Sequence, residues 1–226
     1  MANITNNTVF YSKDEFDKTY EDLKASIDVI WIITATINIL LMQIGFLFLE
    51  VGQVNEKNKT NLLISNLIDT FISAVSYYTI GYAFANDAFG GLIGNGPFFL
   101  LGLDLRGLLG WVFQYSFCST TTTIVSGSLA ERTYIDVYIV FAFLMSGILY
   151  PISAAWVWGG GYLQELGFKD FAGAGVVHLI GGFGGLIGTI ILGPRIGKFE
   201  DSDYLKARKR LEMIMKQNNR YVNQRR

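Results

Sequence analysis

The chain has 226 residues, 51% of them hydrophobic and only 16% charged, with a mean hydropathy of +0.34. A soluble domain carries roughly 25% charged residues, so the composition points to a membrane protein and away from a water-soluble one. The net charge of −1 leaves no overall attraction for nucleic acid, and the single cysteine, Cys118, excludes a disulfide within the chain.

Residues 1–26 are polar and carry two glycosylation sequons, Asn3-Ile4-Thr5 and Asn6-Asn7-Thr8. They lack the apolar stretch of a cleavable signal peptide. Beyond them, apolar runs of about 20 residues alternate with charged clusters, and that length crosses a hydrocarbon core of roughly 30 Å. The first run predicts a helix over 27–51, closed by the polar turn 55–59. A second helix is expected over 62–85, followed by a Gly-rich connection over 86–107 that holds no clean span. A third covers 108–130, contains Cys118 as a small buried apolar group, and stops at Glu131-Arg132. A fourth covers 134–158 and ends at Gly159-Gly160-Gly161. The fifth, 171–192, stops at Gly193-Pro194, which cannot readily continue a helix.

The expected fold is therefore an all-α integral membrane protein of about five transmembrane helices. Residues 1–26 form an extracellular or lumenal segment, 27–193 the five-helix body, and 194–226 a basic cytoplasmic tail. The positive-inside rule sets the N-terminus outside and the C-terminus inside. In that orientation all but five of the 18 Lys and Arg residues (Lys13, Lys18, Lys24, Arg106 and Lys169) lie on inner segments. The tail reads as an ordinary cytoplasmic segment rich in Lys and Arg, with contact to anionic lipid as the alternative.

A few residues inside or beside these spans ask for a reason. His178 is the only histidine and falls about 5 Å from the middle of helix five, at 1.5 Å per residue. An ionisable group at that depth faces a bundle interior or a cavity, where imidazole can move a proton or bond a small polar solute. A structural hydrogen bond across helices is the plainer alternative. The glycines around it (Gly173, Gly175, Gly181, Gly182, Gly184, Gly185 and Gly188) imply close helix packing and a central place for helix five. Phe113 and Phe117 are four apart and share a helix face. Trp158 ends helix four. Packing and interfacial anchoring explain these aromatics, and attraction of a cation to their faces is the functional alternative. Asp170, just before helix five, reads as an N-cap, compatibly with an attraction for cations. Glu50, at the inner end of helix one, is a third acidic group close to the membrane; reaching the interface is the simple reading, and its role is left open. No nucleophile is paired with a base, and there is no metal-ligand cluster or phosphate loop, so neither an enzyme nor a cofactor is expected.

The order of these residues carries a resemblance. The run Trp158-Gly159-Gly160-Gly161, then Asp170-Phe171-Ala172-Gly173-Ala174-Gly175-Val176-Val177-His178, then the Gly-rich stretch to Leu192-Gly193-Pro194-Arg195, is similar to the ammonium transporter (Amt/Mep/Rh) family, in its Amt branch. Phe48-Leu49-Glu50-Val51-Gly52 with Lys57-Asn58, and Gly127-Ser128-Leu129-Ala130-Glu131-Arg132, match as well. The resemblance implies that Phe117 and Trp158 line an outer site where ammonium sheds water, flanked by Phe113, with Phe117 also part of a gate. It implies that His178 is the first of two pore histidines and that Asp170 organises the outer site by structure or by charge. It further implies an eleven-helix fold of two inverted halves, of which this chain is the N-terminal one, and assembly as a homotrimer or with a second half. The transported solute would be ammonium or ammonia, with methylammonium as its analogue, and the location the plasma membrane. The alternative is a non-transporting membrane protein that senses ammonium or modulates full-length transporters.

Overall fold

The computed structural model describes residues 12–195 together with Lys206, Arg210 and 213–216. The two sequons, and most of the tail expected to be basic and cytoplasmic, lie outside the described residues. Among those described the protein is helical, with no strand. Its elements in order are α1 (Lys13–Gln53), α2 (Lys59–Ser76), α3 (Tyr82–Ala85), α4 (Leu105–Leu129), α5 (Ile135–Leu144), α6 (Tyr150–Val157), a short α7 (Tyr162–Glu165) and α8 (Ile180–Leu192). Single π-helical segments join α2 to α3 (Tyr77–Gly81) and α5 to α6 (Met145–Leu149), and a third (Ala174–Leu179) opens α8.

Apart from α1, each continuous helix begins and ends within three residues of its expected limits. The first helix starts fourteen residues before the expected residue 27, at Lys13. A capping box explains this: the Glu15 N–H donates to Ser12 Oγ at 3.2 Å, and the Ser12 N–H donates to the Glu15 carboxylate at 3.0 Å. With Asp14 and Glu15 in its first turn, the helix is launched in the polar segment well ahead of its apolar stretch.

The π segments have identifiable causes. Pro151 has no N–H to give to the carbonyl four residues back, and the ladder shifts there so that the Tyr150 N–H donates to Met145 O. This segment packs against the Tyr77–Gly81 segment. A Cβ on Gly81 would lie 2.7 Å from Ser146 O and 3.2 Å from Pro151 Cγ, so only glycine lets the two kinks meet. Ser76 Oγ donates to Phe143 O at 2.8 Å across the same crossing.

The interior of the bundle holds many small polar side chains beside its apolar core, and its outside is apolar. Ile30, Trp31, Phe48, Phe71, Leu186, Ile190 and Ile191 are exposed, while Ser116, Ser119, Thr120, Thr121, Thr122, Thr123 and Ser126 of α4 are buried. Threonine hydroxyls along α4 donate to the carbonyl four residues earlier, as from Thr120 to Ser116 O at 2.8 Å and from Thr121 to Phe117 O at 3.0 Å. These small, internally satisfied side chains let neighbouring helices approach closely, which suits an apolar solvent. The stretches Lys13–Gln53, Ile135–Glu165 and Ala174–Leu192 are long and apolar enough to cross a membrane by length and composition. Helices α2 and α4 turn their polar residues inward instead.

At the centre stands α4, in contact with α1, α2 and α8. Helix α8 was expected at the centre for its glycines. Those glycines do allow close packing: a Cβ on Gly181 would lie 2.9 Å from Ile124 Cβ, and one on Gly184 3.1 Å from Val125 Cγ2. Gly181, Gly184, Gly185 and Gly188 line the side of α8 that meets α4, Gly182 faces away from it, and Leu179, Phe183, Leu186 and Ile190 remain exposed.

Candidate functional site

The residues singled out from the sequence gather around the start of α8. The rings of Phe113 and Phe117, one turn apart on α4, meet edge to face with centroids 4.9 Å apart. Phe117 in turn lies 5.7 Å from the Trp158 ring at a 51° tilt. Trp158 follows α6 and is held by the glycine run after it. The Gly159 and Gly160 carbonyls accept from the N–H groups of Ala88 (2.8 Å) and Gly90 (2.6 Å). A Cβ on Gly159 would run into Ala85 O, and one on Gly161 would lie 2.7 Å from Trp156 Cα. The connection after α3 is thereby stitched to the end of α6, and the tryptophan is fixed between them.

Trp158 Nε1 donates to the Asp170 carbonyl at 3.0 Å. The Asp170 carboxylate receives the free N–H groups of the next helical turn: Ala174 on Oδ1 at 3.0 Å, and Gly175 and Val176 on Oδ2 at 2.8 Å each. Burial works against its charge, but the N–H groups of Val176, Gly175, Ala174 and Gly173 together outweigh burial and hold the carboxyl below the usual carboxylate range. The capping role expected of Asp170 is therefore met in detail. Gly173 makes the turn possible, with φ 78°, and a Cβ there would lie 2.9 Å from Val177 Cγ2 and 3.4 Å from the Trp158 ring.

From Gly173 the chain enters the π segment that carries His178, whose backbone N–H donates to Gly173 O at 3.0 Å. Its imidazole is exposed and, among the described residues, has no hydrogen-bond partner. The structural hydrogen bond across helices weighed for it is not made among them. Phe113, Phe117, Trp158 and Asp170 thus form one linked array, and His178 follows a helical turn further along. Such an array offers aromatic faces to a small cation at one end and an imidazole at the other. Among the described residues no group of three or more His, Cys, Asp and Glu could hold a metal ion.

Two further acidic residues are buried among the helices. Glu50 does not reach an interface; it is 8% exposed, accepting from Ser126 Oγ at 2.6 Å and Asn66 Nδ2 at 2.8 Å. The helix continues past it to Gln53, and α4 approaches closely at Gly127, where a Cβ would lie 3.0 Å from Glu50 Oε1. Asp69, fully buried on α2, was passed over although an acid in mid-span is itself a signal.

The chain matches the family model described as Ammonium Transporter Family over residues 30–215. It is 40% identical to a putative ammonium transporter of Synechocystis over 183 residues, which is 77% of this chain and 41% of that protein. It is 38% identical to ammonium transporter 3 of Dictyostelium discoideum, covering 83% of this chain and 44% of the relative. Among solved structures, one titled "Sensor Amt Protein" superposes with a TM-score of 0.77 at 37% identity, over 80% of this chain and 48% of the other. The chain thus spans less than half the length of each of these proteins.

Proposed function

Because this chain belongs to the ammonium transporter family, we propose that it forms the N-terminal half of a pathway that moves ammonium or ammonia across a membrane. Five crossings make up this half: α1, α2 with α3, α4, α5 with α6, and the π segment with α8. The N-terminus lies outside and the C-terminus inside, in half of an eleven-helix inverted repeat. Phe117 and Trp158 take up the cation at the outer mouth against their ring faces, with Phe113 beside them, and Phe117 also closes the path. Asp170 supports the site from behind, since its oxygens are committed to backbone N–H groups. His178 lines the pore.

The observation that carries this reading is the open face that His178 shares with Leu179, Phe183 and Leu186 of the same helical stretch. A polar imidazole among apolar side chains on an uncovered helix suits a narrow path completed by a second segment. That partner is the second half of the inverted repeat, in a homotrimer or a two-part assembly at the plasma membrane. The chemistry is transport; no bond is made or broken and no cofactor takes part.

The test is uptake of methylammonium by cells without transporters of their own. The chain is expressed alone and then with a segment carrying helices six to eleven. Uptake only with that segment supports the reading; none in either case, with the protein in the membrane, overturns it. The latter outcome would favour a second reading, a protein that senses ammonium or modulates full-length transporters, for which the likeness to the sensor protein speaks.

A further inference from the structure

At the end of the bundle that carries Asn58 and Glu131, away from Trp158, lies a cluster that the transport reading does not use. Asp69 accepts from Thr123 Oγ1 at 3.1 Å and Ser73 Oγ at 3.3 Å. Glu50 accepts from Ser126 and Asn66. Thr123 and Ser126 are three apart on α4, so one helix face holds both carboxyl groups side by side. Each of the four carboxyl oxygens thus faces a neutral donor, and among the described residues no cationic side chain is paired with either acid. Two negative charges buried at this depth without a counter-charge are costly, whereas one proton between them removes much of that cost.

A second observation points to the same conclusion. The Tyr138 hydroxyl, on a residue 5% exposed, is buried without a hydrogen-bond partner. It lies beside Ser126 and Asp69 without a hydrogen bond to either. Such a hydroxyl can both accept a proton and donate one. A cavity of about 190 Å³ adjoins it, lined by Ser126 and Tyr138 and reaching the exposed Asn61 near Asn58 and Glu131. A second cavity of about 180 Å³ reaches Glu50 from the other side of α4, beside Gln53 and Arg195. Water has a way in.

We propose that Asp69, Glu50 and Tyr138 form a proton-binding site, separate from the His178 face, that exchanges its proton with water through the Ser126–Tyr138 cavity. A hydronium ion in the cavity gives its proton to the Tyr138 hydroxyl as that hydroxyl passes its own proton to an Asp69 oxygen; the hydronium remains as water, and release reverses the step. The groups facing Asp69 are Glu50 from α1, Tyr115 and Cys118 from α4 and Tyr138 from α5; the Met145–Leu149 segment brings none. Glu131 and Arg195 flank the cavity mouths and pair with each other at 3.4 Å. A metal ion is a poor fit, because every carboxyl oxygen is already taken by a hydroxyl or amide donor.

The test is infrared spectroscopy of the full chain in lipid discs, so its outcome does not depend on transport. A protonated-carboxyl C=O band is expected at neutral pH, shifting in heavy water and absent from Asp69→Asn, whose amide mimics the neutral acid. If Asp69→Asn fails to fold, Tyr138→Phe, which removes only a hydroxyl, carries the test: the band should remain, and its shift on transfer to heavy water should slow several-fold. No carboxyl band in the unaltered chain, a heavy-water shift as fast in Tyr138→Phe as in the unaltered chain, or a band lost on adding sodium or potassium at constant pH would each overturn the proposal.

Discussion

At the scale of single residues, the outer array divides its labour between aromatic faces and a capping carboxylate. A cation over a desolvated indole gains about 0.5–2 kcal/mol, which corresponds to a roughly 2- to 30-fold change in affinity. Trp158→Ala should therefore lower uptake by the completed transporter most at low ammonium and little at saturation. Equal losses at both concentrations would count against recruitment by this ring. Asp170 gives a pH prediction. Its carboxyl titrates below its ordinary value, so its stabilising effect is complete above about pH 3.9, the usual value for Asp, and is lost as pH falls further. Trp158 fluorescence, read against a Trp158→Phe control, should hold steady from neutral pH down to that point and then change, and Asp170→Asn should abolish the acid transition. The array was legible because each member is a rare type in a marked position: a sole histidine in a span, a tryptophan at a helix end, an acid at a helix start. Asp69 and Tyr138 were not, since a hydrogen-bonded acid two helices away from its partners leaves no local pattern. Only its depth in the span could have raised the question.

At the scale of helices, the contact of α8 with α4 rests on the absence of side chains. A leucine at Gly181 would press on the Thr121 carbonyl, 3.0 Å from where its Cβ must lie, and backbone cannot yield as a side chain can. Gly181→Leu should lower the melting temperature in detergent, for a loss of about 1–3 kcal/mol. Gly182→Ala meets nothing within 4 Å and should be neutral or stabilise slightly. An unchanged melting temperature for Gly181→Leu would show that the two helices do not approach as described. Apolar runs make most helix limits readable, because hydrocarbon length fixes how long such a run must be. The early start of α1 was readable too, in the Ser12–Glu15 spacing, but hydropathy draws the eye past a capping box. The π segments could not be foreseen: a glycine or proline in a span permits a kink, and whether one forms depends on what crosses it.

For the whole molecule, the open face of α8 is an unfinished contact. Leu179, Phe183, Leu186, Ile187 and Ile190 lie exposed there around His178, and a completing segment would bury them. A tagged segment carrying helices six to eleven should co-purify with the chain from mixed membranes, and Phe183→Arg should reduce recovery several-fold, while Phe16→Arg, far along α1, should not. Equal recovery of both variants would place the junction elsewhere. The 41 residues of α1 measure about 60 Å at 1.5 Å per residue, twice the thickness of a bilayer core. Pivoting near the midplane, such a rod carries its capped tip on an arm of about 45 Å. Each degree of tilt then displaces Ser12 by roughly 0.8 Å, a purely geometric gain. A spin label near Ser12 would turn adjustments in the buried bundle, too small to resolve where they arise, into a displacement measurable outside the membrane.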